Sequence, residues 1–319
     1  MGRRDDLGKD SAAMNAMTTP REDIACAKQT RSIPEGAWDC HTHVFGPPTH
    51  YQFDPKRVYT PGTASVAQLR ALHHRLGIAR VVIVQPSPYG ANNRCTLDAV
   101  AAYNAASAKD AARAVVVIDA HADKTALVHM HACGARGIRI NLKTVEMNHL
   151  ARARAMLHDA ARRIATLNWH VQVFASLELI VQLAGDIATL PVPVVLDHFA
   201  GLRAQIGTAQ PGFSVLLDLL RSGNLYIKLS AAQRVSQAPE HEGLRALVHQ
   251  WIACRCDRLL WGSDWPHPGA WPGVQRTAAH IEPFHPIDDE QALNRLVDWA
   301  GTQQALNAIL IDNARRLYD

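Results

Sequence analysis

From residue 37 onward the chain alternates between two hydrophobic periods. Short β-branched runs, each closing on polar or small residues, predict strands over residues 37–43, 80–85, 114–119, 137–142, 170–174, 192–198, 225–230 and 258–264. Between them, apolar positions recurring every three to four residues predict helices over 65–76 (with Ser65 as its cap), 96–106, 124–133, 149–168, 177–190, 213–222 and 244–254. Two further amphipathic helices, over 290–300 and 302–317, finish the chain. Residues 1–35 show neither period. They are polar and Ala-rich, and Met14 and Met17 are alternative starts, so a disordered extension is expected there, with one domain over 36–319.

Eight strands alternating with helices through short connections predict parallel pairing by right-handed crossovers, which closes most simply as an α/β fold of the (β/α)8 TIM-barrel type. An open doubly wound sheet is the alternative, but no G-x-G-x-x-G follows the first strand. In a barrel the chemistry belongs at the C-terminal rim of the strands.

The polar strand ends are therefore the candidates. In a strand, His41 and His43 share a face, and Gly46-Pro47-Pro48 stops the run just beyond them. The other ends carry Gln85-Pro86-Ser87, Arg139 and Asn141, Asp197-His198, Lys228 and Ser230, and Ser263-Asp264. A lone Asp after a strand usually caps the next helix, and Asp197 and Lys228 read as structural. His41, His43, His198 and Asp264 read as a functional set. A carboxylate facing imidazoles and a guanidinium can act as general base toward water, while the cationic groups stabilise the oxyanion formed at an attacked carbonyl. The same four residues are also a legitimate ligand list for a divalent metal such as zinc. Strand five weighs against a metal: its rim residue is Phe174, and His170 lies at the opposite end.

The stretches Asp39-Cys40-His41-Thr42-His43-Val44-Phe45-Gly46-Pro47, Val84-Gln85-Pro86-Ser87, Gly137-Ile138-Arg139-Ile140-Asn141, Asp197-His198 and Trp261-Gly262-Ser263-Asp264-Trp265-Pro266-His267-Pro268 together resemble the amidohydrolase-related (amidohydrolase 2) lactonases, from about Trp38 to the C-terminus. The resemblance implies a (β/α)8 barrel that opens lactone rings of the pyrone-dicarboxylate or sulfomuconolactone type in the breakdown of aromatic compounds. It implies Asp264 as the base that activates water, His41, His43 and His198 around the scissile carbonyl, and Tyr59, Ser87, Arg139 and Arg234 on the substrate's acidic groups. It also implies no catalytic metal, as in the family's dicarboxylate hydrolases. Two departures touch the anion pocket. Where those hydrolases carry a second arginine after the Gly-Ile-Arg motif, this chain reads Asn141-Leu142-Lys143-Thr144-Val145, which leaves Lys143 as the replacement, and where they have a strand-five tyrosine there is Phe174.

Composition limits the alternatives. A net charge of +4 arises from scattered Arg with no basic block, which gives nucleic-acid binding no support and suits a small anionic substrate. The six cysteines are far apart except for Cys254-Arg255-Cys256, and no apolar segment follows the opening arginines, so reduced thiols in a cytoplasmic protein that makes no membrane contact are expected. Other readings are a metal-dependent decarboxylase or hydrolase of the same superfamily, a sugar-acid lactonase, and a barrel that binds small acids without turnover.

Overall fold

In a computed structural model, the residues described are 32–107, 110–143, 150–237 and 241–319. Contacts divide the chain into Met1–Thr30 and Arg31–Asp319. The first unit, and with it nearly all of the expected extension, lies outside the described residues. Ser32 exchanges two hydrogen bonds with the Gln303 side chain, at 3.2 and 3.0 Å, and Ile33 packs on the core.

Eight strands form one parallel sheet in chain order: β1 (Trp38–Thr42), β2 (Arg80–Val84), β3 (Ala112–Val116), β4 (Ala135–Asn141), β5 (His170–Phe174), β6 (Val194–Leu196), β7 (Leu225–Ser230) and β8 (Leu259–Gly262). The sheet closes just past β8, where the Asp264 amide donates to His41 O at 2.8 Å and the His43 amide to Trp265 O at 2.7 Å. The fold is therefore the (β/α)8 barrel. Gly262 lets the seam close: a Cβ there would lie 2.5 Å from the Cβ of His41.

The helices between the strands follow the predicted pattern with local exceptions. The first, Val66–Leu76, carries the Ser65 cap, completed as a capping box by Gln68. The helix expected over 177–190 is instead two short ones, Leu177–Gln182 and Ala184–Thr189, because the backbone leaves helical geometry at Leu183 (φ −93°, ψ 3°). The last expected helix holds a π-helical turn, Ala308–Asp312, between Gln303–Asn307 and Asn313–Tyr318. A two-residue ladder with no sequence signal, Thr60–Pro61 on Ile281–Glu282, ties the loop after β1 to the segment after β8.

Two apolar layers result. One lies between strands and helices; the other fills the barrel with Trp38, Cys40, Val82, Val84, Val115, Val195, Tyr226 and Leu260 and is closed by Leu317 and Tyr318. The second layer is not wholly apolar. Arg113, His170, Gln172 and Lys228 are buried along with it, and their polar atoms give the floor of the rim its charge.

Candidate active site

The first strand reaches the site through an irregularity. Between Asp39 and Thr42, three residue steps on β1 face two on β2, which is a bulge. Cys40 points into the barrel layer and His41 points in as well, whereas simple alternation places Asp39 and His41 on one face. Asp39 turns the other way. Its carboxylate accepts from the amides of His41 (3.1 Å) and Ser263 (3.0 Å), and it meets His73 Nε2 at 3.3 Å, pinning the first strand to the last. His73 Nδ1 in turn meets the Tyr103 hydroxyl at 2.8 Å.

Backbone strain gathers on the same rim. His198, Phe199 and Ala200 after β6, Ala231 after β7, and Asp264 after β8 all have φ between 50° and 67°, a left-handed region costly for side chains with a Cβ. Such conformations persist where the surroundings enforce them, and here they aim His198 and Asp264 at a common point.

That point is Asp264 Oδ1. It lies 3.5 Å from His43 Nε2, 3.6 Å from His41 Nε2 and 3.9 Å from His198 Nε2, and it makes no direct hydrogen bond. The other oxygen, Oδ2, accepts from Arg234 Nε at 3.1 Å and Nη2 at 2.9 Å, and Arg234 also donates to Pro268 O. Burial raises the Asp264 carboxyl, but Arg234 and then the neighbouring histidines outweigh it and hold it well below the usual carboxylate range.

Each imidazole is oriented through its far nitrogen. His43 Nδ1 donates to Val84 O at 2.8 Å, which leaves its Nε2 facing Asp264. His198 Nδ1 meets Ser230 Oγ at 2.9 Å. His41 Nδ1 sits between Asp197 Oδ1 at 3.2 Å and Lys228 Nζ at 3.3 Å. Burial pushes His41 down to about 3 against the pull of Asp197, and burial pushes His198 well below its ordinary value against Asp264, so both rings are neutral near pH 7.

Asp197 and Lys228, which the sequence alone marks as structural, lie against His41. Asp197 precedes a short 3-10 turn, yet its side chain makes no cap hydrogen bond; it accepts from Arg139 Nε at 3.2 Å and faces His41. Burial raises its pKa, but His41, Lys228 and Arg139 bring it well below the usual range. Lys228 is fully buried, donates to Gln172 Oε1 at 2.7 Å, and is lowered by burial to about 8, with Asp197 opposing the shift. A lysine and a glutamine at inward positions of otherwise apolar strands were the available signal, since such groups are buried only with partners.

Above this floor a small cavity of about 70 Å³ opens at the rim, lined by His43, His198, Tyr59, Ser87, Arg139, Arg234, Asn141, Phe174 and Arg276 among others. The substrate-contact candidates Tyr59, Ser87, Arg139 and Arg234 are thus brought together. Lys143 is not: it is exposed and outside the lining, because the turn after β4 carries it to the surface, where its amide donates to Asn141 Oδ1 at 3.1 Å. Arg234 faces inward more than an anion anchor needs, since its fork is engaged by Asp264. Arg276 was not foreseen, because nothing in its local sequence marks it.

His41, His43 and Asp264 offer ligand atoms within 4.8 Å of one another, as do His41, Asp197 and His198. The first set suits a divalent ion, and the unbonded Asp264 Oδ1 and His41 Nε2 are the atoms it would engage.

Imidazoles, carboxylates and arginines gathered at the strand ends of a parallel barrel are the arrangement of a barrel hydrolase's rim. The chain belongs to the amidohydrolase family, whose Amidohydro_2 description matches residues 38–319. It is 32% identical over 306 residues to a 2-pyrone-4,6-dicarboxylate hydrolase of Comamonas testosteroni, covering 92% of this chain and 93% of that protein. It is 31% identical over 289 residues to a 4-sulfomuconolactone hydrolase of Hydrogenophaga intermedia, covering 90% of this chain and 89% of that protein. A crystal structure of a putative 2-pyrone-4,6-dicarboxylic acid hydrolase from Pseudomonas putida superposes with a TM-score of 0.73 at 29% identity, over 89% of this chain and 98% of that one.

Proposed function

We propose that this protein hydrolyses the ester bond of a small anionic lactone, of the pyrone-dicarboxylate or sulfomuconolactone kind, in the breakdown of aromatic compounds. The observation that carries the reading is the meeting of Asp264 Oδ1 with three imidazole Nε2 atoms at 3.5 to 3.9 Å beneath an arginine-lined cavity. Asp264 Oδ1 and His43 Nε2 face each other at 3.5 Å, with His43 Nδ1 already engaged by Val84 O. A water donating one hydrogen to each satisfies both and turns a lone pair toward the cavity. Asp264 takes the proton as the water oxygen bonds to the lactone carbonyl carbon. His41 and His198, as neutral rings, donate to the developing oxyanion. The ring C–O bond then breaks, the departing oxygen receives the proton from Asp264, and one water has been added across the ester.

The donor set formed by His41, His43 and Asp264, with His198 beside it, supports a second, metal-dependent reading. A bound divalent ion would polarise the carbonyl. The metal-free reading is supported by the charge already in place: the Arg234 fork compensates Asp264, and Lys228 lies at 3.3 Å from His41.

The test is turnover of a panel comprising the pyrone dicarboxylate, sulfomuconolactone, muconolactone and aldonolactones. Hydrolysis of the dianionic members is expected, with neutral aldonolactones poor. Turnover of none of them, with or without added zinc or manganese, would sink the lactonase reading.

A further inference from the structure

Arg276 lies on the segment after β8, beyond Asp264 and Pro268, and lines the same cavity as Arg139 and Arg234. Its guanidinium carbon sits 3.7 Å from the centre of the Tyr59 ring, a cation–π stack that fixes the plane of the fork. Nε donates to Glu282 Oε2 at 2.7 Å, and Nη2 donates to Glu282 Oε1. A guanidinium has more donors than this grip uses.

The supporting backbone is also held. Ile281–Glu282 pairs with Thr60–Pro61, and Thr60 Oγ1 donates to Ala278 O at 2.7 Å. Trp271 stacks on His285 with ring centres 4.3 Å apart and donates through Nε1 to Pro283 O at 3.1 Å. Arg276 is therefore placed before any ligand arrives, which spares the entropy of ordering a long side chain on binding.

The other cations of the rim are committed differently. Arg234 gives its Nε and Nη2 to Asp264, and Lys143 is outside the lining. Arg139 gives only Nε to Asp197. A ring bearing two acidic groups needs a second anchor besides Arg139. We infer that Arg276, stacked on Tyr59 and braced by Glu282, is that anchor: it receives the second carboxylate or sulfonate and sets the preference for dianionic over monoanionic rings. The inference takes its substrate class from the lactone reading above.

The experiment uses the full-length protein and its Arg276→Met and Arg276→Lys variants. Calorimetric titration with benzene-1,3-dicarboxylate and with benzoate needs no turnover. The wild type is expected to bind the dicarboxylate more tightly, and Arg276→Met to lose roughly tenfold to hundredfold of that preference while benzoate affinity stays put. Arg276→Lys, which keeps the charge without the fork, should retain part of it. In kinetics on whichever dianionic lactone the wild type turns over, KM should rise with kcat nearly unchanged.

A strut that merely holds the segment predicts something else, namely a lower melting temperature and equal weakening of both ligands. That result, an unchanged preference, or a wild type that binds the two probes equally or not at all would overturn the inference. Loss of preference in a protein that opens no lactone would uphold the anchor and remove the lactonase reading, so the two fail separately.

Discussion

Arg234→Met separates the role read from the sequence from the one the structure supports. As a free anchor, Arg234 would affect only KM for anionic lactones. In the structure its fork holds Asp264 Oδ2 at 2.9 and 3.1 Å, and that carboxylate is wholly buried while the arginine side chain is 25% exposed. Breaking a buried pair by removing one partner costs about 3–5 kcal/mol, and the partial exposure of Arg234, with three imidazoles near enough to take up a proton, points to the low end, about 3 kcal/mol. For a domain of this size that corresponds to a melting temperature lower by roughly 5 °C. Released from the fork, the carboxylate rotates away from the water-binding position, and misplacement of about an ångström costs on the order of a hundredfold in kcat. The loss should fall on charged and neutral lactones alike. Arg234→Lys, which supplies a charge without the fork, should be intermediate in both measurements. The assays are thermal unfolding and steady-state kinetics on one anionic and one neutral lactone. A variant with unchanged kcat and melting temperature, and KM raised only for the anionic lactone, would refute the pairing argument and restore the anchor role.

Asp264→Asn should keep the fold and substrate binding and lower turnover by about a hundredfold or more, because the amide cannot take the water's proton; near-normal turnover removes Asp264 from the base role. Exhaustive chelation of the purified protein should leave activity intact, with elemental analysis showing no stoichiometric metal; bound zinc whose removal abolishes turnover would establish the alternative assigned to His41, His43 and Asp264. Acid stability should report on His170, which burial, and then Lys228, lower from 6.5 to about 3. Between those values the unfolded chain binds a proton that the folded chain does not, so this contribution is complete above pH 6.5 and is lost as pH falls, at about 1.4 kcal/mol per pH unit. His170→Phe should flatten the stability profile over that window by one proton, and an unchanged slope in denaturant titrations at several pH values would show that the ring is not held neutral.

What the linear chain determined on its own was the barrel and the identity of the rim. Eight β-branched runs alternating with helical periods admit few topologies, and in a barrel the strand ends share one rim, so the pattern alone placed His41, His43, His198 and Asp264 on the same rim. The same reasoning does not say which charges meet behind that rim. Asp197 and Lys228 looked structural because a strand-end Asp and a lone buried Lys usually are; only closure of the sheet brought them to 3.2 and 3.3 Å from the Nδ1 of His41. A bulge in β1 also escaped the simple alternation of residues, and it decided that His41, not Asp39, faces the site. Lys143 and Arg276 exchanged expectations for a related reason. A turn carries Lys143 outward within two residues of the end of β4, while a two-residue ladder of no sequence signature swings Arg276 back over the cavity. Periodicity records which face of its own element a residue occupies, because that is a local property of backbone geometry. Which charges meet across the rim depends on register, strain and loop tethering, and those are set only when distant segments pack together.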